Sequence, residues 1–185
     1  MTRAGATRRG LLALLALLLV APAAVPAGAE VAPGTTPGSA TGLFGAYDKG
    51  NAFARILAGT LPATRVYEDR QVLAFMNIHP LSVGDLLVIP KRPYRNLMDI
   101  PPAVLKHLIV VTQRLARAQA RALHPDGIFI RQNSGEEAGQ TVFHFHIHVT
   151  PRYAGVPEAK TSYAQPPADP AGLAAVAARI KAAMR

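Results

Sequence analysis

Three histidines at alternate positions, each separated from the next by a bulky apolar residue, limit the possible folds of this chain more than any other stretch. The run is Gln140-Thr141-Val142-Phe143-His144-Phe145-His146-Ile147-His148-Val149. Successive side chains of an extended strand point to opposite faces. His144, His146 and His148 therefore share one face, and Phe143, Phe145, Ile147 and Val149 share the other. One face belongs to a core and the other to an open site. Three imidazoles on one surface admit two chemistries, metal ligation or reaction at phosphorus. Residues i and i+4 of a strand lie ~13 Å apart at the backbone, whereas metal–nitrogen bonds measure ~2 Å. Three consecutive same-face histidines do not comfortably surround one ion, although two of them do. The chain has no cysteine, and its other histidines, His79, His107 and His124, fall in a loop, on a helix and at a helix end. For group transfer, the central imidazole attacks phosphorus from one nitrogen while a backbone carbonyl fixes its other N–H. Its neighbours then bind phosphate oxygens or protonate the departing group. Asn133, Gln140 and Thr141, just upstream, supply amide and hydroxyl donors for the spread negative charge. Such chemistry requires no metal.

Ahead of the domain, Arg3, Arg8 and Arg9 precede an apolar run from Leu11 to Val20. Ala/Pro-rich sequence and the small-residue site Ala27-Gly28-Ala29 follow. Residues 1–29 thus read as a secretory signal peptide, and Thr7-Arg8-Arg9-Gly10-Leu11-Leu12 also fits a twin-arginine signal. The apolar run falls short of the ~20 residues of a membrane span, so the membrane is met only through this leader if it stays uncleaved. The expected location is exported, periplasmic or extracellular. Residues 30–42, rich in Pro, Gly, Thr and Ser, read as a disordered linker, 43–155 as the folded domain, and 156–185 as a Pro/Ala-rich segment with a C-terminal helix. Three of the 20 basic residues and none of the 11 acidic ones precede Glu30, so the formal charge of +9 falls to +6 without the leader. The remaining cations are scattered, which argues against a nucleic-acid partner.

Within the domain, residues 51–58 suit a short helix ended by Gly59, and 64–67, 71–77 and 84–89 suit three strands. Pro101 and Pro102 open the principal helix, where Val104, Leu108, Val111, Leu115, Ala118 and Ala122 recur at helical spacing. Residues 128–132 suit a fourth strand, 143–150 the histidine strand, and 170–184 an Ala-rich helix. Strands clustered around one long helix predict an α+β fold with a mostly antiparallel sheet of about five strands.

Asn133-Ser134-Gly135-Glu136-Glu137-Ala138-Gly139-Gln140-Thr141 followed by His144-Phe145-His146-Ile147-His148-Val149 resembles the signature of the histidine-triad (HIT) superfamily, in which three histidines alternate with apolar residues. The resemblance extends through Tyr67-Glu68-Asp69, Phe75-Met76-Asn77 and Gly84-Asp85-Leu86-Leu87-Val88-Ile89-Pro90-Lys91-Arg92-Pro93. It is greatest toward the fragile-histidine-triad and diadenosine-polyphosphate hydrolase side. It implies a HIT-like α+β fold with a short N-terminal helix and one long helix, to which this chain adds a C-terminal helix. It also implies a homodimer, and a nucleotide or dinucleoside polyphosphate substrate cleaved at the α-phosphate through a nucleotidyl-His intermediate. On that basis His146 matches the nucleophile, and His144 and His148 match the flanking phosphate-binding and leaving-group histidines. Asn133 matches a phosphate-contacting amide position, Thr141 the hydroxyl just before the strand and Asn77 the ribose-binding position, with Gln140 a further candidate substrate contact beside Thr141. Phe53, Ile56, Phe75 and Leu87 fall near the base pocket, or are plain core.

Many relatives hold a structural zinc through two cysteines and two histidines. Here the cysteine positions are Asn51 and Ala54, and Asp85 replaces one histidine, so no zinc and no other cofactor is expected. Asp85 holds a neighbouring histidine positively charged, repels the substrate phosphate, or sits in solvent as a turn carboxylate. Two other functions remain open at this stage: a nucleotide-binding module with little turnover, and an exported metal-binding protein using His144, His146 and Asp85.

Overall fold

The computed structural model describes residues 41–157 and 165–185. The signal peptide read in 1–29, residues 30–40 of the linker, and 158–164 lie outside the described residues. Thr41 and Gly42 are not a free tether. The Thr41 carbonyl accepts from Glu136 N–H at 2.9 Å, and buried Gly42 accepts from the Arg95 guanidinium at 2.9 Å. These two residues are therefore held in place although they fall in the stretch read as disordered.

A short helix α1 (Ala52–Leu57) comes first, capped by Asn51, whose Oδ1 accepts from Phe53 and Ala54 N–H at 2.9 Å each. Strands β1 (Arg65–Glu68), β2 (Val72–Met76) and β3 (Leu86–Pro90) follow, then helix α2 (Pro102–Leu123) and strands β4 (Gly127–Arg131) and β5 (Ile147–Arg152). Helix α3 (Pro170–Ala183) ends the chain. The five strands form one sheet in the order β1-β2-β3-β5-β4, every pair antiparallel. Among the described residues no helix is long and apolar enough to cross a membrane.

Alternation along the strands separates two cores. Val72, Ala74, Met76, Leu86, Val88, Ile147 and Val149 face α2 and α3, meeting Leu108, Val111, Leu115, Leu173, Ala177 and Ile180. Leu73, Phe75, Leu87 and Ile89 face α1, meeting Phe53 and Ile56. The C-terminal helix, read as an appendage, is part of the main core. Its Ala-rich sequence hides that role, because only one residue per turn is large enough to mark the buried face. The two long helices also cap each other, Arg179 donating to the Ala122 carbonyl and Arg121 to that of Ala183.

Buried Gln119 interrupts the apolar stripe of α2. Its Nε2 donates to the Gly84 carbonyl at 2.8 Å and the Val149 carbonyl at 2.9 Å, tying the helix to the start of β3 and to β5. Gly84 itself has φ +94°, and a β-carbon there would lie 2.4 Å from Leu123 Cδ1. The positive φ is what calls for glycine here, since the crowding is against the flexible end of Leu123.

The histidine strand is shorter than its alternation suggests. β5 starts at Ile147, so His144 and His146 precede the ladder. Phe145 still points into the main core at 1% exposure, and its N–H donates to the Tyr94 carbonyl at 2.7 Å rather than to a neighbouring strand. Extended backbone alternates whether or not it is paired, so the side-chain pattern survives where the sheet does not.

Candidate active site

Across the sheet, Phe75, Leu87, His148 and Arg131 are register partners from β2, β3, β5 and β4. Phe75, Leu87 and His148 form the floor of a cavity of about 390 Å³ whose walls include Phe53, Ile56, Leu61, Asn77, Thr141 and Val142. His146 and His148 both line it, with ring centroids 5.4 Å apart. The four residues assigned either to a base pocket or to the core are core residues that also wall the cavity. Phe53, Ile56, Phe75 and Leu87 are buried against one another and also line the cavity.

Partner chemistry fixes each tautomer. His146 Nδ1 lies 2.7 Å from the His144 carbonyl, which only accepts, so Nδ1 carries the proton. The lone pair is left on Nε2, which has no protein partner among the described residues. Phe53 packs edge-on to this ring at 5.2 Å and restricts its rotation. His144 is placed differently. Its Nε2 donates to the Pro90 carbonyl at 2.8 Å and its Nδ1 accepts from the Tyr47 hydroxyl, so both nitrogens of this fully buried ring are occupied. It does not line the cavity. The first histidine of the run is a strut beneath the second, which corrects its assignment as a phosphate contact.

Thr141 is exposed at the cavity rim, and its hydroxyl has no protein partner among the described residues. Asn77 lines the cavity as well. Its Oδ1 accepts from His79 N–H at 3.0 Å and its Nδ2 donates to Asp85 at 2.9 Å, leaving one lone pair and one proton for a ligand. Gln140, expected at the substrate, is turned inward and fully buried. Its Oε1 accepts from Gly135 N–H at 2.8 Å, and its Nε2 donates to the carbonyls of Arg95 at 2.8 Å and Val142 at 3.2 Å. It shapes the loop that presents Thr141. Asn133 does not reach the cavity wall either. Its side-chain nitrogen lies 3.1 Å from where a β-carbon on Gly139 would sit, so it packs against that loop.

Asp85 is fully buried, which overturns its reading as a turn carboxylate in solvent. Oδ2 accepts from Asn77 Nδ2 and from Leu81 N–H at 3.0 Å, and Oδ1 accepts from the Thr150 hydroxyl at 2.7 Å. Oδ1 also stands 3.7 Å from His148 Nδ1. His79, read as a surface loop residue, lines the cavity and bonds the Gln165 carbonyl at 2.9 Å through Nδ1. Sequence reasoning missed Tyr47 and Arg95. The Arg95 guanidinium lies 4.1 Å over the Phe143 ring and donates to the Gly42 and Ala46 carbonyls, clipping the residues before α1 to the histidine loop. No local motif announces contacts between residues 49 to 97 positions apart.

The zinc set implied by the resemblance does not fit this chain. Ala54 offers no ligand atom, and both nitrogens of His144 are engaged within the protein. Among the described residues no three His, Cys, Asp or Glu side chains converge as metal ligands.

Burial pushes His146 down to about 3, assisted by the neighbouring His148, and pushes His144 down to about 4 against the pull of the Pro90 carbonyl. Both rings are neutral at pH 7. In the unfolded chain they titrate near 6.5, so between about pH 4 and 6.5 the unfolded state binds more protons and folding stability falls as pH falls. Asp69 acts in a lower window. Burial raises it, but hydrogen bonds from Gln71 N–H, His107, Tyr67 and Val72 N–H outweigh that and hold it well below the carboxylate range. Its contribution is lost only under about pH 4. Urea unfolding at pH 7.5 and pH 5 isolates the histidines. The midpoint is expected to drop at pH 5, and an unchanged midpoint would mean that the rings are solvated.

An imidazole with one unengaged nitrogen just ahead of an inner antiparallel strand, over an apolar cavity and with a second imidazole beside it, is the feature that sets the class of this α+β domain. The HIT domain model matches residues 58–155, and the chain belongs to the HIT family. The protein Hit of Bacillus subtilis is 41% identical over 101 residues, covering 55% of this chain and 70% of that one. The adenylylsulfatase HINT3 of Arabidopsis thaliana is 36% identical over 100 residues, covering 54% of this chain and 51% of that one. Among solved structures, a HIT-like protein involved in cell-cycle regulation from Bartonella henselae superposes with a TM-score of 0.69 at 38% identity. The match covers 75% of this chain and 99% of that one. Members of this family are nucleotide hydrolases or transferases.

Proposed function

We propose that the protein cleaves nucleotidyl conjugates at the α-phosphate through a covalent intermediate on His146. The supporting observation is the anchored ring, with Nδ1–H held by the His144 carbonyl and Nε2 unengaged at an apolar cavity. Phe53, Ile56, Phe75 and Leu87 receive the base, Asn77 the ribose hydroxyls, and Thr141 a phosphate oxygen. His146 Nε2 forms a bond to phosphorus as the bond to the leaving atom breaks, and the leaving atom takes the departing electron pair and a proton from His148. Water then attacks phosphorus, its proton returns to His148, the phosphorus–nitrogen bond breaks, and a nucleoside monophosphate is released.

The leaving group is a second nucleotide in a dinucleoside polyphosphate, or a smaller group such as sulfate or an amine. Similarity to a protein named as an adenylylsulfatase favours including the smaller ones. The reaction is proposed to run without zinc, because the ligand set is missing. We also propose a homodimer joined through β4, one of the sheet's two edge strands, where Phe129 and Ile130 are exposed. Light scattering would read a single-chain mass if that pairing is wrong.

The experiment is a panel of dinucleoside polyphosphates, adenylyl sulfate and adenosine phosphoramidate, with acid-free trapping of the protein during turnover. A nucleoside monophosphate product and a protein one nucleotidyl group heavier at His146 are expected. Tight nucleotide binding without an adduct or product on any substrate would leave only a binding module.

A further inference from the structure

Asp85 is a buried carboxylate that touches both polar walls of the cavity. It holds Asn77 through Oδ2, and it presents Oδ1 to His148 Nδ1. That nitrogen is buried and has no hydrogen-bond partner among the described residues. A buried, unpartnered ring nitrogen beside a buried carboxylate is costly unless the two interact. The 3.7 Å gap is longer than a hydrogen bond, and a small turn of the ring closes it, as donor–acceptor pairs of unliganded sites often tighten when the site is filled. The carboxylate itself has little freedom, because Leu81 N–H, Asn77 and Thr150 hold it from three sides. The ring is the part that moves.

We propose that Asp85 is a positioning residue for His148, forming with it a carboxylate–imidazole pair that keeps the proton on Nδ1 and aims Nε2 at the leaving group. This rests on the reaction assigned above and deepens it. When the leaving atom departs, it takes the proton from His148 Nε2 while Nδ1 keeps its own proton, hydrogen-bonded to Asp85. In the second step Nε2 takes the proton of the attacking water. Asp85 takes up no proton in either step, and no co-reactant is needed. The charged and titratable groups facing this ring are Asp85 ahead of β3, His146 two residues back and Arg131 opposite on β4, with His79 on the same cavity. The pair singles out a substrate class: conjugates whose leaving group needs a proton, such as phosphoramidates of alkylamines, gain most from it.

The test compares the full chain with Asp85→Asn on two adenylyl substrates, an alkylamine phosphoramidate and a nitrophenyl ester, whose leaving group departs as a stable anion. Asp85→Asn is expected to lower kcat on the phosphoramidate by about 100-fold and on the ester by less than about 10-fold. Equal losses on both would reduce Asp85 to a structural residue and overturn the proposal. So would a large gain with Asp85→His. Nitrogen–proton correlation spectra of the unmutated protein decide independently of whether Asp85→Asn folds. His148 with its proton on Nδ1 is expected, and a proton on Nε2 alone at neutral pH overturns the pairing. Failure of the unmutated protein to cleave either substrate, with the Nδ1 proton present, would sink the assigned reaction and leave the pairing standing.

Discussion

Replacing His146 with alanine is expected to remove the proposed turnover, with kcat falling on the order of 10⁵-fold, because the proposed bond to phosphorus has no other nitrogen to form on. His148 does not take over. Its pocket-facing nitrogen sits on a ring whose centroid is 5.4 Å from that of His146, too far to occupy the same in-line position at phosphorus. His144 has no free nitrogen. The same variant should fold. Among the described residues the ring's one hydrogen bond is to the His144 carbonyl, so losing that bond costs about 1–2 kcal/mol. Turnover and adduct mass read the first effect, and urea unfolding the second. A variant that retains turnover within 10-fold of the unmutated protein would show that the nucleophile lies elsewhere.

Phe145→Ala is expected to cost about 3–5 kcal/mol, a large part of the 5–15 kcal/mol that usually separates folded from unfolded domains. The ring is 1% exposed in the main core, between the two histidines that precede β5. No strand holds that stretch. It is fixed by this side chain and by the hydrogen bond from its N–H to Tyr94. Emptying the position therefore loosens His144 and His146 together, and kcat should fall even at temperatures where the variant stays folded. The chain has no tryptophan, so circular dichroism in urea is the suitable measurement. A loss under about 1 kcal/mol would mean that the core closes over the gap and that the ring is not the anchor described.

Where apolar periodicity met ordinary turn chemistry, the sequence was legible. The stripe along α2 predicted the buried residues Leu108, Val111, Leu115 and Ala118. Gly59 and Pro102 fell at the ends of helices they suit, and the five strands emerged within a few residues of their positions. The histidine alternation correctly separated core from cavity while misplacing the start of β5, since side-chain direction carries no information on which backbone groups are paired. What could not be read were polar side chains working at long range. Gln140 looks like a ligand-facing amide next to a catalytic motif, and only the fold shows it turned inward. Asp85 looks like a turn residue after glycine, but Asn77, Leu81 and Thr150 bury it. Tyr47 lies 97 residues from His144. Such pairings depend on where the sheet brings the chain, and no local preference encodes them.

The single amide of Gln140 closes the loop that carries Thr141 by gripping Gly135, Arg95 and Val142. In a chain without cysteine, that closure owes nothing to oxidation. It is kept by exclusion of water, so the loop should tighten and fray with heat or denaturant and stay indifferent to redox potential.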